Sequence, residues 1–393
     1  MKMTEICPLM NCCGCEACVN ACPRKCISFV TDKEGFNFPQ IDAANCVDCK
    51  LCQKVCPANS SPKYNAAQTK VYAAWALDDK IRQSSSSGGL YSIFANYCFS
   101  QGGVANGVVF NDELLVVHKL CDKTEDTIPC RGSKYVQSRP GNIYREVKNA
   151  LEAGKMVFFT SNPCQVDALY KFLGKDYDNL YTCDFICHGT PSPEYLKDSV
   201  NKITHGADSI DKITFRDLSF WGNFKIRVEC GDKKYSEDTI LNSYTKTFLS
   251  GSNYRYSCYG CRFARAERVA DITIGDFWGV GKYMPFLHDT SKGVSLVMLN
   301  TEKGRYLFEQ IKDQIFFAPR AFREAARENH QLKHNVSMQE HRGEFYTDVQ
   351  NMSSADIIKK YHKPLPLVKK LLSLPLRVCH KIVKICIKVL KIS

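Results

Sequence analysis

The chain has 393 residues, of which 44% are hydrophobic and 24% charged, and it contains 22 cysteines. This ordinary globular composition excludes wholesale disorder, and the length favours two or three domains. No run of about 18 apolar residues occurs, so we expect no membrane-spanning helix. The first five residues contain no apolar signal core, so we expect a cytoplasmic protein. In that reducing compartment, so many cysteines indicate metal ligation or redox chemistry rather than disulfides.

The formal net charge of +12 is concentrated at one end of the chain. Residues 359–393 contain ten Lys and Arg residues and no Asp or Glu, so the preceding residues are nearly neutral. A uniformly basic surface is therefore not expected, and no helix-turn-helix or zinc-finger spacing occurs. The sequence thus argues against a nucleic-acid partner.

An internal repeat dominates residues 1–60. The spacing C-x2-C-x2-C-x3-C-P occurs twice, and the second copy is shifted by 34 residues. The first copy consists of Cys12, Cys15, Cys18 and Cys22, and the second consists of Cys46, Cys49, Cys52 and Cys56. This spacing is typical of bacterial two-cluster ferredoxins, in which the fourth cysteine of each copy ligates the other 4Fe–4S cluster.

We therefore predict a ferredoxin module in which each cluster takes three ligands from one copy and one from the other. Cluster one would use Cys12, Cys15, Cys18 and Cys56, and cluster two would use Cys46, Cys49, Cys52 and Cys22. A pair of structural zinc knuckles is the alternative, although zinc usually takes two C-x2-C pairs that a longer loop separates. Cys7, Cys13 and Cys26 fall outside the pattern, and we expect them to be small buried residues. Cys13 or Cys26 could replace a neighbouring ligand.

Residues 57–70 are polar and rich in Pro, Ser and Asn, which predicts a linker at residues 61–70. Beyond them, apolar runs alternate with helical patterns, which predicts an α/β or α+β arrangement with a mixed sheet. We expect an α+β fold in which a mixed α/β, flavin-binding body forms two lobes, divided into domains 71–153 and 154–335. Predicted strands lie at 71–77, 104–110, 114–120, 156–160, 180–185, 213–216, 225–230, 271–275 and 294–300. Predicted helices lie at 89–100, 143–153, 163–173, 193–205 and 302–314.

Three short motifs in the body are typical of a nucleotide or flavin site. The first precedes a predicted helix, where hydroxyls, glycine amides and the helix N-terminus would form an anion pocket suited to a pyrophosphate. It comprises Ser84, Ser85, Ser86, Ser87, Gly88 and Gly89. The second follows Arg131 and comprises Gly132, Ser133, Lys134 and Tyr135. Plain surface loops are the alternative for both motifs.

The third motif follows the predicted strand 156–160. Asn162 can cap a helix, and Pro163 suits its first turn. Cys164 and Gln165 would then lie in the crevice between strand and helix, where open sheets bind ligands.

Cys164 also belongs to a second group of loop cysteines, together with Cys187, Cys258 and Cys261. Four loop thiols can form a third metal site, and an iron–sulfur cluster, zinc and independent thiols all remain open. His188 is a candidate proton donor, with a local hydrogen bond as the alternative. The aromatic loop at 277–278 could stack on a flavin ring or form an ordinary aromatic cluster.

The basic tail has a helical pattern. In residues 371–392, apolar and cationic side chains each recur at steps of three and four. Five of the cations would fall within an arc of about 80° of a helix, leaving the rest of the circumference apolar. This predicts a C-terminal amphipathic helix that binds an anionic membrane surface, so that the protein would be peripheral at the inner face of the membrane. Docking in a groove of the body or of a partner is the alternative.

The chain resembles the coenzyme F420 hydrogenase/dehydrogenase beta-subunit family in the order of its motifs, namely the ferredoxin repeat, SSSSGG, GSKYVQS, NPCQ, ICHG and SCYGCRFARAERVADITIGDFWG. The resemblance runs from Cys12 to about residue 330. It implies an iron–sulfur flavoprotein that holds FAD and exchanges a hydride with the deazaflavin coenzyme. It also implies that the three motifs line the FAD pocket and that the second cysteine group holds a cluster beside the flavin. The basic tail is not part of the family core.

The leading hypothesis is a flavin-dependent oxidoreductase that passes electrons from clusters to flavin and a hydride to or from the deazaflavin or another organic acceptor. Bacterial relatives occur with surface-polysaccharide genes, which suggests a link to glycan assembly. Lys134 and Arg131 would neutralise phosphate or the reduced flavin. The redox partner would be a ferredoxin or a hydrogenase or dehydrogenase subunit. The alternatives are a non-catalytic electron-transfer subunit of a larger complex and a structural metal-binding scaffold.

Overall fold

The computed structural model describes residues 5–65, 69–216 and 221–362. The strands in these ranges are β1 Ile27–Thr31, β2 Asn37–Ile41, β3 Lys70–Ala76, β4 Val104–Phe110, β5 Val116–Cys121, β6 Ser138–Arg139, β7 Val157–Ser161, β8 Leu180–Phe185, β9 Lys212–Arg216, β10 Phe224–Cys230, β11 Lys233–Asp238, β12 Ile272–Asp276, β13 Ser295–Leu299 and β14 Ile315–Arg320. The α-helices are α1 Ala17–Ala21, α2 Leu51–Lys54, α3 Asp79–Gln83, α4 Leu90–Ser100, α5 Thr124–Thr127, α6 Ile143–Glu152, α7 Pro163–Leu173, α8 Pro193–Thr204, α9 Ser243–Ser250, α10 Tyr256–Tyr259, α11 Glu302–Ile311, α12 Phe322–Glu328, α13 Phe345–Asn351 and α14 Ser354–Tyr361.

Nine strands form one mixed sheet in the order β14-β3-β13-β12-β8-β7-β4-β5-β6. Strands β4, β7, β8 and β12 run parallel, whereas β13, β3 and β14 extend the sheet by antiparallel pairing. Helices α4 and α11 pack on one face and α6 and α7 on the other. Phe158 accordingly points into the first core, and its neighbours Val157 and Phe159 point into the second. Because both faces are covered, β7 is buried at every position.

Strands from both predicted body domains share this sheet, so a single sheet joins the two predicted lobes. The smaller sheet, in the order β11-β10-β9, packs against α8, α9, α13 and α14 in a separate core. Together these layers confirm a mixed α/β body behind a ferredoxin-like N-terminal region. The domain boundary itself stays a prediction.

The sequence repeat of the N-terminal module is visible in its backbone. Glu16 precedes α1 with φ 59° and ψ 10°, and Lys50 precedes α2 with φ 59° and ψ 8°. These residues stand 34 positions apart, as the cysteine repeat requires. The hairpin β1–β2, which pairs Ile27 with Ile41, closes the module.

Buried arginines of the body hold the module in place. Arg255 is 1% exposed, and its Nε donates to the carbonyl oxygen of Cys12 at 2.6 Å, while Nη2 donates to that of Asn37 at 3.0 Å. Its guanidinium lies 4.0 Å from the ring centroid of Phe38, a cation–π distance. These contacts attach the first cluster-binding loop to the loop that precedes α10.

Further contacts extend the same interface. Nε of Arg145 donates to the carbonyl oxygen of Asn20 at 2.8 Å, and the hydroxyl of Tyr144 donates to that of Cys15 at 2.9 Å. In the other direction, the buried carboxylate of Glu16 accepts the backbone amide of Gly141 at 2.7 Å. Carbonyl groups of the cluster-binding loops are therefore paired with donors of the body.

The remaining differences from the predicted elements have local causes. The predicted helix 302–314 ends at Ile311, because the following residues Ile315–Arg320 pair with β3 as strand β14. Strand β11 was not predicted, since its sequence KKYSED is polar and mostly exposed. The short strands β1, β2 and β6 and helices α9 and α12 to α14 were not predicted either.

Two sequence predictions concern the segments that flank the body. Part of the predicted linker is attached to the body, because the backbone amide of Asn65 donates to the carbonyl oxygen of Arg268 at 2.8 Å. The predicted amphipathic helix at 371–392 lies outside the described residues. Within the described ranges, no helix combines the length and apolar character needed to cross a bilayer.

We expect Arg255→Ala to destabilise the protein by about 2–4 kcal/mol, because it removes a buried cation and leaves several acceptors unpaired. The midpoint of thermal unfolding, measured anaerobically at a fixed scan rate, should fall by roughly 5 °C. Arg305→Ala is the control, because Arg305 pairs with the exposed Glu302 and such surface pairs contribute about 0–1 kcal/mol. Equal midpoints for both variants would contradict a stabilising role of Arg255.

Candidate functional site

Three parallel strands of the large sheet bring chemically active residues to one edge. Because β7, β8 and β12 run in the same direction, their carboxyl ends lie side by side, where α/β sheets bind ligands. β7 leads to Asn162, β8 leads to Cys187, and β12 ends at Asp276. Pro163 at the start of α7, with Asn162 as the cap residue, turns the chain directly from strand to helix.

The predicted ligands of cluster two surround a cavity of about 20 Å³ in the N-terminal module, with walls that include Cys22, Cys46, Cys49 and Cys52. Cys22 comes from the first sequence copy and the other three come from the second. The fold therefore brings together the four cysteines that the spacing predicts for cluster two, three from one copy and one from the other. Cys49 is exposed, so this set lies at the protein surface.

The predicted ligands of cluster one lie in the interior. Cys12, Cys15, Cys18 and Cys56 are all buried. The Cys18 thiol lies within electrostatic range of Cys12 and Cys56, and the Cys15 thiol lies within range of Cys18 and Cys56. This set also combines the two copies, since Cys56 comes from the second copy and the other three cysteines come from the first.

Two cysteines outside the repeat contact predicted ligands. Cys26 Sγ lies 3.4 Å from Cys22 Sγ, and Cys26 also lines the cavity of cluster two. The Cys7 thiol interacts with those of Cys12 and Cys56. Both are buried, as expected, but they belong to the immediate surroundings of the two ligand sets.

The second group of cysteines meets in a cavity of about 310 Å³ in the body, the cysteine cavity, whose walls include Cys164, Cys187, Cys258 and Cys261. Cys13 also lines this cavity, although it belongs to the cluster-one loop. Its thiol interacts with Cys15 on one side and with Cys164 on the other. Sequence spacing could not predict this fifth thiol, because its position depends on how the module docks on the body.

The donor sets fit iron–sulfur clusters. Four cysteines are typical ligands of a 4Fe–4S cluster and of structural zinc. Four thiolates around one zinc ion stand about 3.8 Å apart, given Zn–S bonds of about 2.3 Å. In the part of the chain that the structure describes, no group of three or more His, Cys, Asp or Glu side chains is arranged so that it could hold a metal ion. The cysteine cavity has a volume of about 310 Å³ and is lined by five thiols, those of Cys13, Cys164, Cys187, Cys258 and Cys261.

A second cavity, of about 300 Å³, adjoins the cysteine cavity, and we call it the Ser/Gly cavity. Its walls include the predicted flavin residues Ser85, Ser86, Ser87, Gly89, Gly132, Ser133, Lys134, Tyr135, Asn162 and Gln165. The two cavities share Asn162, Gln165, Cys187 and His188. A ligand in the Ser/Gly cavity would therefore be separated from the cysteine cavity by one layer of residues.

Three predicted flavin residues do not line the Ser/Gly cavity. The hydroxyl of Ser84 donates to the carbonyl oxygen of Lys80 at 2.7 Å and ends helix α3. Gly88 packs so closely on β3 that a Cβ would meet the carbonyl oxygen of Ala74. Pro163 lines the cysteine cavity. Ser84 and Gly88 thus shape the loop rather than the cavity surface.

The first two flavin motifs form one wall. The backbone amide of Ser133 donates to Oγ of Ser86 at 2.7 Å, and Nη1 of Arg131 donates to Oγ of Ser84 at 3.0 Å. Helix α4 begins after Gly89, which has φ 83° and supplies no side-chain cap. The first amides of α4 therefore remain available to an anion at this end of the cavity.

Lys134 lines the cavity, but its ammonium holds its own loop. Nζ donates to the carbonyl oxygens of Pro129 at 3.1 Å and Cys130 at 3.3 Å. Burial lowers the pKa of Lys134 to about 8. These bonds indicate that Lys134 fixes the shape of the 129–134 turn. Its ammonium could also present a positive charge to a ligand.

His188 lies in the wall between the two cavities. Nε2 of Gln331 lies 3.2 Å from Nδ1 of His188, so Nδ1 is the acceptor and Nε2 carries the proton. Burial lowers the pKa of His188 to about 4. At neutral pH the imidazole is therefore uncharged and can donate a hydrogen bond, but it holds no ready imidazolium proton.

A buried polar network lies under the Ser/Gly cavity. His118 Nδ1 lies 3.3 Å from Nδ2 of Asn106, and His118 Nε2 lies 3.1 Å from Oγ of Ser138. Nε2 of Gln165 donates to the same Oγ at 3.1 Å. Burial lowers the pKa of His118 to about 3, so it is neutral. Gln165, a predicted flavin residue, is thus oriented by groups from β4, β5 and β6.

Sequence reasoning missed several residues of these walls, notably Arg216, Asp276, Asn106 and Cys13. Asp276 lies in the motif SCYGCRFARAERVADITIGDFWG and Cys13 lies inside the first cysteine repeat, but neither was assigned to a cavity wall. Arg216 and Asn106 belong to no motif, and Arg216 offers one signal, a charged residue at the end of an apolar strand. The significance of that signal depends on sheet order, which a single sequence does not reveal.

The two sets of thiols in the N-terminal module are those of an iron–sulfur protein. Residues 11–60 match the family model of the 4Fe-4S dicluster domain. Residues 71–141 and 154–324 match the models of the N-terminal and C-terminal parts of the beta subunit of coenzyme F420 hydrogenase/dehydrogenase, which together span more than half of the chain. The chain belongs to the coenzyme F420 hydrogenase/dehydrogenase beta-subunit family, as its motifs predict.

Among solved structures, a chain of the xenon-derivatised F420-reducing NiFe hydrogenase complex from Methanosarcina barkeri is similar to this chain. The TM-score is 0.46 at 16% identity, and the match covers 76% of this chain and 91% of that chain. No curated protein matches the sequence.

We expect Cys52→Ala to remove cluster two, because three thiols cannot complete its ligand set. Anaerobically purified protein should lose roughly four iron and four sulfide atoms per chain. Cys98→Ala is the matched control, because Cys98 is buried in α4 and its thiol donates to the carbonyl oxygen of Val104 at 3.3 Å. Unchanged iron content and an unchanged EPR spectrum in Cys52→Ala would contradict the assignment of Cys52 as a ligand.

Proposed function

We propose that the protein is a flavin-dependent iron–sulfur oxidoreductase. The bound clusters would supply single-electron transfer, and the flavin, as FAD, would supply two-electron hydride chemistry with an organic acceptor. Membership of the beta-subunit family supports the oxidoreductase class, and the dicluster domain supports the two clusters. A third 4Fe–4S cluster in the cysteine cavity and the flavin in the Ser/Gly cavity are the finer parts of the proposal.

The continuous series of sites carries this proposal. The set with exposed Cys49 lies at the surface, and the buried set follows it in the module. Cys13 then connects the buried set to the cysteine cavity through its contacts with Cys15 and Cys164. The shared wall with His188 leads from there to the Ser/Gly cavity. Such a series would join a surface donor to an enclosed substrate site.

The chain's own groups suit the binding of a flavin dinucleotide. Hydroxyls of Ser86 and Ser133, the first amides of α4 and the guanidinium of Arg131 could hold a pyrophosphate at one end of the Ser/Gly cavity. The neutral His188 could donate a hydrogen bond at the other wall. The apolar side chains between these ends would exclude water from the reacting ring.

The acceptor is a small organic molecule, either the deazaflavin coenzyme or a substrate of surface-polysaccharide assembly. Electrons would come from a redox protein, a ferredoxin or a hydrogenase or dehydrogenase subunit. The cytoplasmic location and the binding of the tail to the membrane face stay predictions from sequence.

We expect Gly132→Leu to lower the flavin content of anaerobically purified protein at least ten-fold, because the added side chain would fill part of the Ser/Gly cavity. Gly132 has φ 83°, and Gly102 has φ 69° with nothing near its Cβ position. Gly102→Leu is therefore a control with similar backbone strain but no place in the cavity. Iron and sulfide should be unchanged in both variants. Full flavin content in Gly132→Leu would contradict this flavin site, and flavin-free wild-type protein would contradict the function.

A non-catalytic electron-transfer subunit is the second candidate, favoured by the exposure of Cys49 at the surface. Single-turnover reduction of the isolated holoprotein separates the two. An enzyme should be reduced by the reduced deazaflavin coenzyme or by NADH without any partner, as bleaching of its visible absorption. Absence of bleaching with either donor, despite full flavin and iron content, would favour the relay.

A further inference from the structure

Arg216 lies in an aromatic enclosure on the wall of the Ser/Gly cavity. It ends strand β9, and only 5% of its surface is exposed. Its guanidinium carbon lies 4.0 Å from the ring centroid of Phe224, 5.1 Å from that of Trp278 and 5.6 Å from that of Tyr135. The aromatic faces stabilise a cation that is almost fully buried.

The hydrogen bonds of this guanidinium are incomplete. Nε donates to the hydroxyl of Tyr135 at 2.6 Å, and Nη2 donates to Oδ2 of Asp276 at 2.6 Å. Nη1 is buried and has no partner among the described residues. Oδ1 of Asp276 already accepts from Nε1 of Trp221 at 2.8 Å, so this carboxylate is engaged on both oxygens. An unpaired donor on a buried charged group is unfavourable in a protein interior and indicates a place for an acceptor.

The charges of the cavity favour an anionic acceptor. Among the described residues of its walls, Asp276 is the one carboxylate, whereas Arg131, Lys134 and Arg216 are cationic. The ion pair with Asp276 neutralises part of the charge of Arg216, and Arg131 and Lys134 leave the cavity with an excess of positive charge. Trp278 also lines the cavity. Its ring stacks on Trp221 at a centroid distance of 5.2 Å and an interplanar angle of 7°, and its centroid lies 5.1 Å from the guanidinium carbon of Arg216.

We propose that Arg216 is the anion-binding residue of the Ser/Gly cavity, where Nη1 takes a carboxylate or phosphate oxygen of a ligand whose planar ring packs near Trp278. The proposal deepens the function proposed above and rests on the same cavity. The anion has two sources, namely the phosphate of the flavin cofactor and the acidic group of an organic acceptor.

Two probes of equal shape and different charge test the acceptor as the source. Nicotinate and nicotinamide share one ring, and only nicotinate is an anion at neutral pH. Tryptophan fluorescence reports binding, because two of the three tryptophans lie beside Arg216, and a Trp75→Phe background removes the third. We expect nicotinate to bind at least ten-fold more tightly than nicotinamide, and Arg216→Gln to abolish the difference. Arg216→Lys, which keeps the charge but loses the planar fork, should give an intermediate value.

Flavin content of the same purified variants tests the cofactor as the source. If Arg216 binds the flavin phosphate, Arg216→Gln should lose flavin at least ten-fold while Arg216→Lys retains more. Arg139→Gln is the matched control, since Arg139 also pairs with a carboxylate, that of Glu16, but lies outside the cavity walls. Circular dichroism of Arg216→Lys verifies the fold.

The outcomes separate this proposal from the function on which it rests. The role of Arg216 would be overturned if Arg216→Gln kept its full flavin content and also bound nicotinate as tightly as the wild type does. Full flavin content in Arg216→Gln, combined with a wild type that does not respond to nicotinate, would overturn it as well. A wild-type protein without flavin would contradict the proposed function. The comparison of nicotinate with nicotinamide would then still decide whether Arg216 binds anions.

Discussion

The buried contacts between arginine side chains of the body and carbonyl groups of the N-terminal module are the constraint on which the other sites depend. Arg255 reaches the cluster-one loop at Cys12, and Arg145 reaches the end of α1 at Asn20. Loops that wrap a metal cluster leave many carbonyl groups outside regular structure, and such groups need donors when they are buried. The body supplies these donors as cations, and so fixes the orientation of the module. As a result, Cys13 meets Cys164.

The charge of these donors also suits their surroundings. Arg255 has no carboxylate partner in the described structure, and it is stabilised by carbonyl oxygens, Gln137 and the faces of Phe36 and Phe38. An isolated buried cation is ordinarily costly. A 4Fe–4S cluster held by four thiolates is anionic, so a guanidinium at its loop would offset that charge and favour electron uptake. The interface that attaches the module would therefore also tune the electrostatics of a cluster bound there.

The sequence predicts those features whose residues lie close together in the chain, and it does not predict those that depend on contacts between distant segments. The eight repeat cysteines could be assigned to two ligand sets, each with three cysteines from one copy and one from the other. Short spacings fix their positions, and the repeat folds alike in both copies. The Asn162–Cys164 turn could be placed because strand, cap and Pro163 are adjacent in the chain. The fifth thiol, Cys13, and the unpaired donor of Arg216 could not be predicted, because both depend on contacts between segments far apart in sequence. Ser84 and Gly88 belong to the motif that forms the cavity wall, but their own positions outside that wall depend on how the loop packs on β3.

The edge formed by β7, β8 and β12 and the smaller sheet supply different walls of the Ser/Gly cavity. Residues that join the two cavities, such as Asn162 and Cys187, lie on this edge and are held by the covered sheet. The far wall, with Arg216 and Phe224, comes from the smaller sheet, whose core also contains Phe36 of the N-terminal module and Val116 of β5. The two walls also meet directly, because Nη2 of Arg216 donates to Oδ2 of Asp276 at the end of β12. A substitution at Arg216 would therefore act on the β12 end of the edge as well as on the molecule that the cavity holds.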